Sequence, residues 1–252
     1  MNSNFSPDNS DFNEDEILNK IFENVSLVED YREIRLPSLG MELYDIPTET
    51  VSIRGMTFED EKILAALKDK TKLMEVLIER CVKEDINPKD LLPQDKIYLM
   101  IHIRALSVGE THKFAIACPS CNKKSEVEIN VLETFPCKFA DTPLKRTSEI
   151  MLPKLGKKAV VKRVSSYELD KFKMDQILQE LWRFVISIDG HTNAKIRAKV
   201  MDKIPREDVR EILNIVMSED IGLDTKFMFG CASCGHEELT EFAFQNGFFT
   251  MT

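Results

Sequence analysis

Glycine is scarce, with nine residues in 252. None of the glycine-rich loops that cradle phosphates is present, and neither a nucleophile elbow nor H-E-x-x-H occurs. Long apolar runs are also missing. None approaches the 18 residues a membrane-crossing helix needs, so no membrane partner is expected. Positive charge is in deficit: 34 Lys and Arg stand against 43 Asp and Glu, and the formal charge of −9 argues against a broad nucleic-acid surface. The opening MNSNFSPDNSDFNEDE is polar and acidic, unlike a secretory signal. A soluble intracellular setting is the expectation, and with it an absence of disulfides. The acidic residues are spread along helical faces, and the Ser165-Ser166 pair has no nearby histidine. Nothing in these patterns supports an enzyme.

What is present is a chain able to bury a core, with 43% hydrophobic residues and six cysteines. Four cysteines form two C-x-x-C pairs: Cys118 with Cys121, and Cys231 with Cys234. Residues 113–121 read KFAIACPSC and residues 226–234 read KFMFGCASC, a constant offset of 113. Alternating segments follow each, SEVEINV (125–131) and ELTEFAF (238–244), so each pair reads as a knuckle between two strands.

Other landmarks repeat in the same order. EIRLPSLG (33–40) matches EIMLPKLG (149–156), and LPQDKI (92–97) matches IPREDV (204–209). Between them, TVSIRG and KAVVKRV read as strands. Each leads into a helix start, at Thr57-Phe58-Glu59-Asp60 and at the capping box Ser165-Ser166-Tyr167-Glu168. Gly109 and Gly222 are expected to close the helices before each K-F strand. The reading is an α+β fold built on an internally duplicated β-β-α-α-β-knuckle-β unit. The copies span 33–132 and 149–252. Residues 1–30 form an acidic disordered tail and an amphipathic helix whose apolar face is Ile17, Leu18, Ile21, Phe22 and Val25. That helix docks on its own chain or on a partner.

Apolar stripes place the helical cores. They are Ile63, Leu64 and Leu67, then Leu73, Met74, Leu77, Ile78 and Cys81, in the first copy. In the second they are Leu169, Phe172, Ile177, Leu178, Leu181, Trp182 and Val185, followed by Val209, Ile212, Leu213 and Val216. The basic run KLGKKAVVKR (154–163) reads as an exposed edge of a strand pair, with a basic patch as the alternative.

Thiolates are soft ligands, and a C-x-x-C knuckle lets two sulfurs reach one ion. Two knuckles supply Cys118, Cys121, Cys231 and Cys234, a closed set of four for one structural Zn²⁺ with no position left for substrate. Two other arrangements are open: a redox C-x-x-C, and two separate sites completed by His112 and His236. His236 otherwise reads as an exposed turn residue, with a hydrogen bond to a cysteine sulfur as the alternative. Cys81 and Cys137 both read as small buried hydrophobes, with a reserve-ligand role as the alternative for Cys137, which lies near the first pair in sequence.

The stretches IRLPSLG, VSIRGMTFEDEKIL, LLPQDKIYLMIHIRALSVGETHKFAIACPSC and the closing CASCGHEEL and NGFF resemble the baseplate hub proteins of T-even-like contractile-tailed phages. The resemblance runs from about Arg35 to Phe249, and its most distinctive part is Asp95 to Gly109. It leaves out the acidic N-terminal extension. It implies a non-enzymatic virion-assembly role, as a hub subunit or hub assembly factor, in the tail baseplate and assembled in the host cytoplasm. The implied partners are other baseplate and hub proteins. The alternative from another class is a zinc-ribbon nucleic-acid module, using Lys123, Lys124 and Phe242, Phe244, Phe248 and Phe249.

Overall fold

A computed structural model describes residues 13–21, 23, 30–40, 44, 48–69, 72–172, 174–242 and 248. The first dozen residues, Phe22, Val25, Phe244 and Phe249 lie outside the described residues. The chain opens with α1 (Glu14–Ile21), β1 (Arg32–Arg35), β2 (Thr50–Ile53), α2 (Phe58–Ala66), α3 (Leu73–Cys81) and α4 (Pro93–Val108). Then come β3 (Thr111–Ala117), β4 (Lys124–Asn130), β5 (Cys137–Lys138), β6 (Thr147–Met151), β7 (Lys158–Lys162), α5 (Ser166–Lys171) and α6 (Met174–Gln179). A 3-10 turn at Leu181–Arg183 leads to β8 (Val185–Ile188), α7 (Ala194–Met201), α8 (Arg206–Met217), β9 (Gly222–Leu223), β10 (Lys226–Gly230) and β11 (Glu237–Glu241).

The fold is a mixture of helices and short antiparallel sheets. β1 pairs with β2, β3 with β4, β10 with β11, β5 with β9, and β6-β7-β8 form a three-stranded sheet. Among the described residues of α1, Ile17, Leu18 and Ile21 are 40%, 50% and 62% exposed. No helix among the described residues is long and apolar enough to cross a membrane.

Residues 33–130 and 149–241 make parallel sets of contacts. In the first, the L-P-x-L-G turn is held by Asp95 in the first turn of α4, which accepts the Ser38 N–H at 3.0 Å and the Ser38 hydroxyl at 2.5 Å. In the second, Asp208 in the first turn of α8 accepts the N–H groups of Lys154 and Leu155 at 2.8 and 2.9 Å. Both carboxylates satisfy turn amides that burial would otherwise leave without partners. The structural partner of Asp95 is therefore Asp208, at the same offset of 113 as the cysteines, and not Glu207 as the P-x-D alignment pairs them. Pro93 is the first residue of α4, whereas Pro205 caps α8 from one position earlier.

The helix starts are also alike. Thr57 with Asp60 and Ser165 with Glu168 form reciprocal capping boxes. In each, a cation six residues before the acid pairs with it: Arg54 with Asp60 at 2.7 Å, and Lys162 with Glu168. Gly109 and Gly222 both have positive φ, 93° and 96°. Only Gly109 caps its helix; α8 is capped by Ser218 in the left-handed conformation. Gly222 is needed for a different reason as well: a Cβ there would lie 2.7 Å from the Gln94 side chain, where the second segment crosses α4.

Two expectations need correction. The stripe from Leu169 to Val185 is not one helical face but α5, α6, the 3-10 turn and the start of β8. Leu178 is 54% exposed there. The short helices arise because Phe172 leaves the helical conformation as the cap of α5. β7, within the basic run, is the central strand of its sheet and not an edge, because β8 covers its second side. The lysines of the basic run pair locally: Lys158 meets Glu149, Lys157 meets Asp189 and Lys154 meets Glu207.

Among the described residues two cores are buried. One gathers Leu36, Val51, Ile53, Leu77, Leu99 and Ile103 from the N-terminal segment together with Phe227, Phe229, Phe242 and Phe248 from the C-terminal end. The other is made by Leu152, Val161, Ile177, Val185, Ile212 and Val216. The C-terminal hairpin thus buries its inner face with the N-terminal segment, away from the helices that precede it.

Candidate metal centre

Each knuckle is built by the same two backbone bonds. Cys118 N–H donates to Lys123 O at 2.9 Å and Asn122 N–H to Cys118 O at 2.8 Å. In the other, Cys231 N–H donates to His236 O at 2.8 Å and Gly235 N–H to Cys231 O at 2.9 Å. The turn needs a left-handed residue four positions after the first cysteine. Asn122 (φ 56°) and Gly235 (φ 71°) supply it, both residue types that tolerate that region.

The strands aim the knuckles at each other. Phe114 of β3 packs edge-on against Phe227 of β10 and against Phe242, with centroids 5.9 and 5.2 Å apart. Phe242 also meets Phe135 and Phe248. Arg104 of α4 fastens this aromatic cluster. Its guanidinium donates to the carbonyls of Gly109, Thr111 and Phe248, and lies over the Phe248 ring at 5.2 Å.

Across the junction the sulfur of Cys118 is 3.7 Å from that of Cys234, and the sulfur of Cys121 is 3.8 Å from that of Cys231. All four sulfurs lie within 4.8 Å of one another. A disulfide needs sulfurs about 2 Å apart, so the thiols are free. An ion bound tetrahedrally by sulfurs at about 2.3 Å separates them by about 3.8 Å. The four sequence-expected cysteines are therefore brought together, in a group that could bind a metal ion. Neither knuckle begins a helix, as a redox C-x-x-C would.

The sulfurs are not equivalent. Cys118 and Cys231 are buried, Cys121 is half-buried and Cys234 is exposed. Cys231 accepts hydrogen bonds from the Ser125 hydroxyl and from the Ser233 and Cys234 amides, which pull its thiol down to about 6. Cys234 accepts the His236 amide, but desolvation and the sulfurs of Cys121, Cys231 and Cys118 outweigh it and push the thiol up to about 11. Four sulfurs this close cannot all ionise cheaply unless a cation sits among them.

The histidines take other places. His112 stacks on Phe114 and meets Phe248 edge-on, near Arg104. His236 contributes its backbone amide to a sulfur, while its ring lies 3.6 Å from a Glu238 oxygen. Neither belongs to the sulfur cluster. Cys137 sits in β5 outside the cluster, and Cys81 is fully buried, where burial pushes its thiol up to about 12. His102, without an expected partner, packs against Tyr98, and burial lowers it to about 4. The residue that sequence reading missed is Ser125. It stands at the first inward position of β4, two residues before the apolar alternation that marked the strand.

Phe242 and Phe248, candidates for stacking on nucleic-acid bases, are 5% and 1% exposed in the aromatic cluster. The fold and site define a mixed α/β protein with a candidate tetrathiolate metal centre joining two distant hairpins. A family model described as T4 bacteriophage base plate protein matches residues 30–250. The chain belongs to that family, which gives it a structural role in the phage tail baseplate, among other baseplate proteins. No curated protein and no solved structure matches it.

Proposed function

We propose that this chain is a baseplate hub component or hub assembly factor that acts through protein–protein contacts and performs no catalysis. One structural Zn²⁺ on Cys118, Cys121, Cys231 and Cys234 holds it together. The observation that carries this reading is the four-sulfur cluster, closed by two knuckles more than a hundred residues apart, in a chain of the baseplate family. Four thiolates fill a tetrahedral shell and leave no open position for substrate. The ion's binding energy becomes folding energy that ties the C-terminal hairpin to the N-terminal core.

The two knuckles form a zinc-ribbon-like pair, and the chain is an internal duplication of units 33–132 and 149–252 preceded by 1–30. The matched Asp95 and Asp208 contacts, the paired capping boxes and the equal knuckle bonds support that descent. Assembly takes place in the host cytoplasm. Quantitative mass spectrometry of purified tails against hub assembly intermediates tests the role. A hub subunit persists in finished tails at fixed stoichiometry, whereas an assembly factor occurs only in the intermediates. Absence from both would reject the proposal. Metal analysis of the purified chain is expected to give one zinc per chain.

A further inference from the structure

Ser125 has no counterpart in the other hairpin. It lies on β4, facing inward, and is 6% exposed. Its hydroxyl sits 3.6 Å from the sulfur of Cys231, on the opposite hairpin. At the offset that superposes the knuckles, the matching residue on β11 is Glu238, which turns toward His236 and not toward a cysteine. A buried hydroxyl without an acceptor costs free energy, and an inward strand position ordinarily takes an apolar side chain. Serine at 125 makes physical sense if the sulfur it meets is a strong acceptor, as a metal-bound thiolate is and a thiol is not.

The amide donors to Cys231 and Cys234 are local. The Ser233 and Cys234 amides reach Cys231 from its own knuckle, and the His236 amide reaches Cys234 likewise. The Ser125 hydroxyl, like the Cys118–Cys234 and Cys121–Cys231 sulfur contacts, reaches across to the opposite hairpin, so its bond forms only when both are docked. Taking the cysteine cluster as a zinc site, we infer that Ser125 is a positioning residue for the metal. Its hydroxyl donates to the Cys231 thiolate across the junction, holds that ligand toward the ion and offsets part of the negative charge of four sulfurs on a divalent cation.

The test uses the full chain and four proteins: the wild type, S125A, S125T and S125V. Zinc affinity is measured by competition with a chromophoric chelator, and the site is read separately by the absorption spectrum of the cobalt(II)-loaded protein. Threonine and valine have the same shape and differ in the hydroxyl, so their difference isolates the hydrogen bond from packing. S125T is expected to keep wild-type affinity and spectrum. S125A and S125V are expected to lose about tenfold to a hundredfold in affinity, with a displaced sulfur-to-cobalt charge-transfer band. Equal affinity and spectra for S125T and S125V, whether both retained or both lost, would overturn the role of Ser125 while leaving the metal site standing. A wild-type chain that takes up neither zinc nor cobalt would instead overturn the metal reading, and the inference with it.

Discussion

The two C-x-x-C hairpins have nearly the same backbone and opposite relations to their neighbours. β3-β4 follows α4 directly and buries its inner face in the core that α4 already forms. β10-β11 follows α8, yet its Phe227 and Phe229 enter that same N-terminal core, while Ile212 and Val216 of α8 remain in the other one. The difference teaches where the cohesion between the two segments resides. The C-terminal hairpin is anchored by what it meets, namely the partner knuckle, the aromatic cluster and Arg104, more than by the helix it follows in sequence.

Removing one of the four clustered cysteines puts the greatest strain on this arrangement. Cys231→Ser is expected to abolish metal binding and to lower the melting temperature by on the order of 10 °C or more, as chelation should do to the wild type. Hydrogen exchange should then rise in both hairpins and in the N-terminal core. Exchange confined to β10-β11 would mean that the hairpins do not depend on each other.

The next comparison sets one core against the other. Phe229→Ala, at a side chain 1% exposed, is expected to cost about 3–5 kcal/mol and to weaken metal retention. Ile212→Ala, fully buried in the second core, is expected to cost about 2–5 kcal/mol while leaving metal affinity unchanged. Denaturant melts paired with a zinc release assay separate the two outcomes.

The capping boxes give the smallest contrast. Burial alone would raise the Asp60 carboxyl, but hydrogen bonds from Arg54, the Thr57 amide and Arg80 hold it well below the usual carboxylate range. Glu168 is lowered in the same balance, burial against Lys162 and the Ser165 amide. Asp60→Asn strands two arginines and should cost about 3 kcal/mol. Glu168→Gln, at a half-exposed site with one lysine, should cost about 1 kcal/mol. Both carboxyls have folded values below their unfolded ones. Their contribution is therefore complete above the unfolded carboxylate range and is lost as the pH falls through the folded values. Acid-side stability profiles should flatten more in Asp60→Asn than in Glu168→Gln.

Much of this organisation is legible in the chain itself. The repeated K-F-x-x-x-C-x-S-C and the L-P-x-L-G turns locate the knuckles and the segment starts, because short-range backbone geometry demands particular residues at fixed spacing. The capping boxes at Thr57 and Ser165 are legible for the same reason. Ser125 is not, because nothing within its own strand distinguishes a serine that meets a sulfur from one that meets water. The run of residues 169–185 misleads because apolar spacing cannot distinguish one helix from two short helices and a strand.

Sequence alone therefore singled out the four cysteines that cluster, Cys118, Cys121, Cys231 and Cys234, since knuckle spacing is a local property. Tertiary structure decided which core the second knuckle joins, which side of β7 is covered, and that Asp95 answers to Asp208. Those depend on contacts between residues far apart in the chain, where burial of apolar surface and satisfaction of buried polar groups select one arrangement among many with the same local pattern.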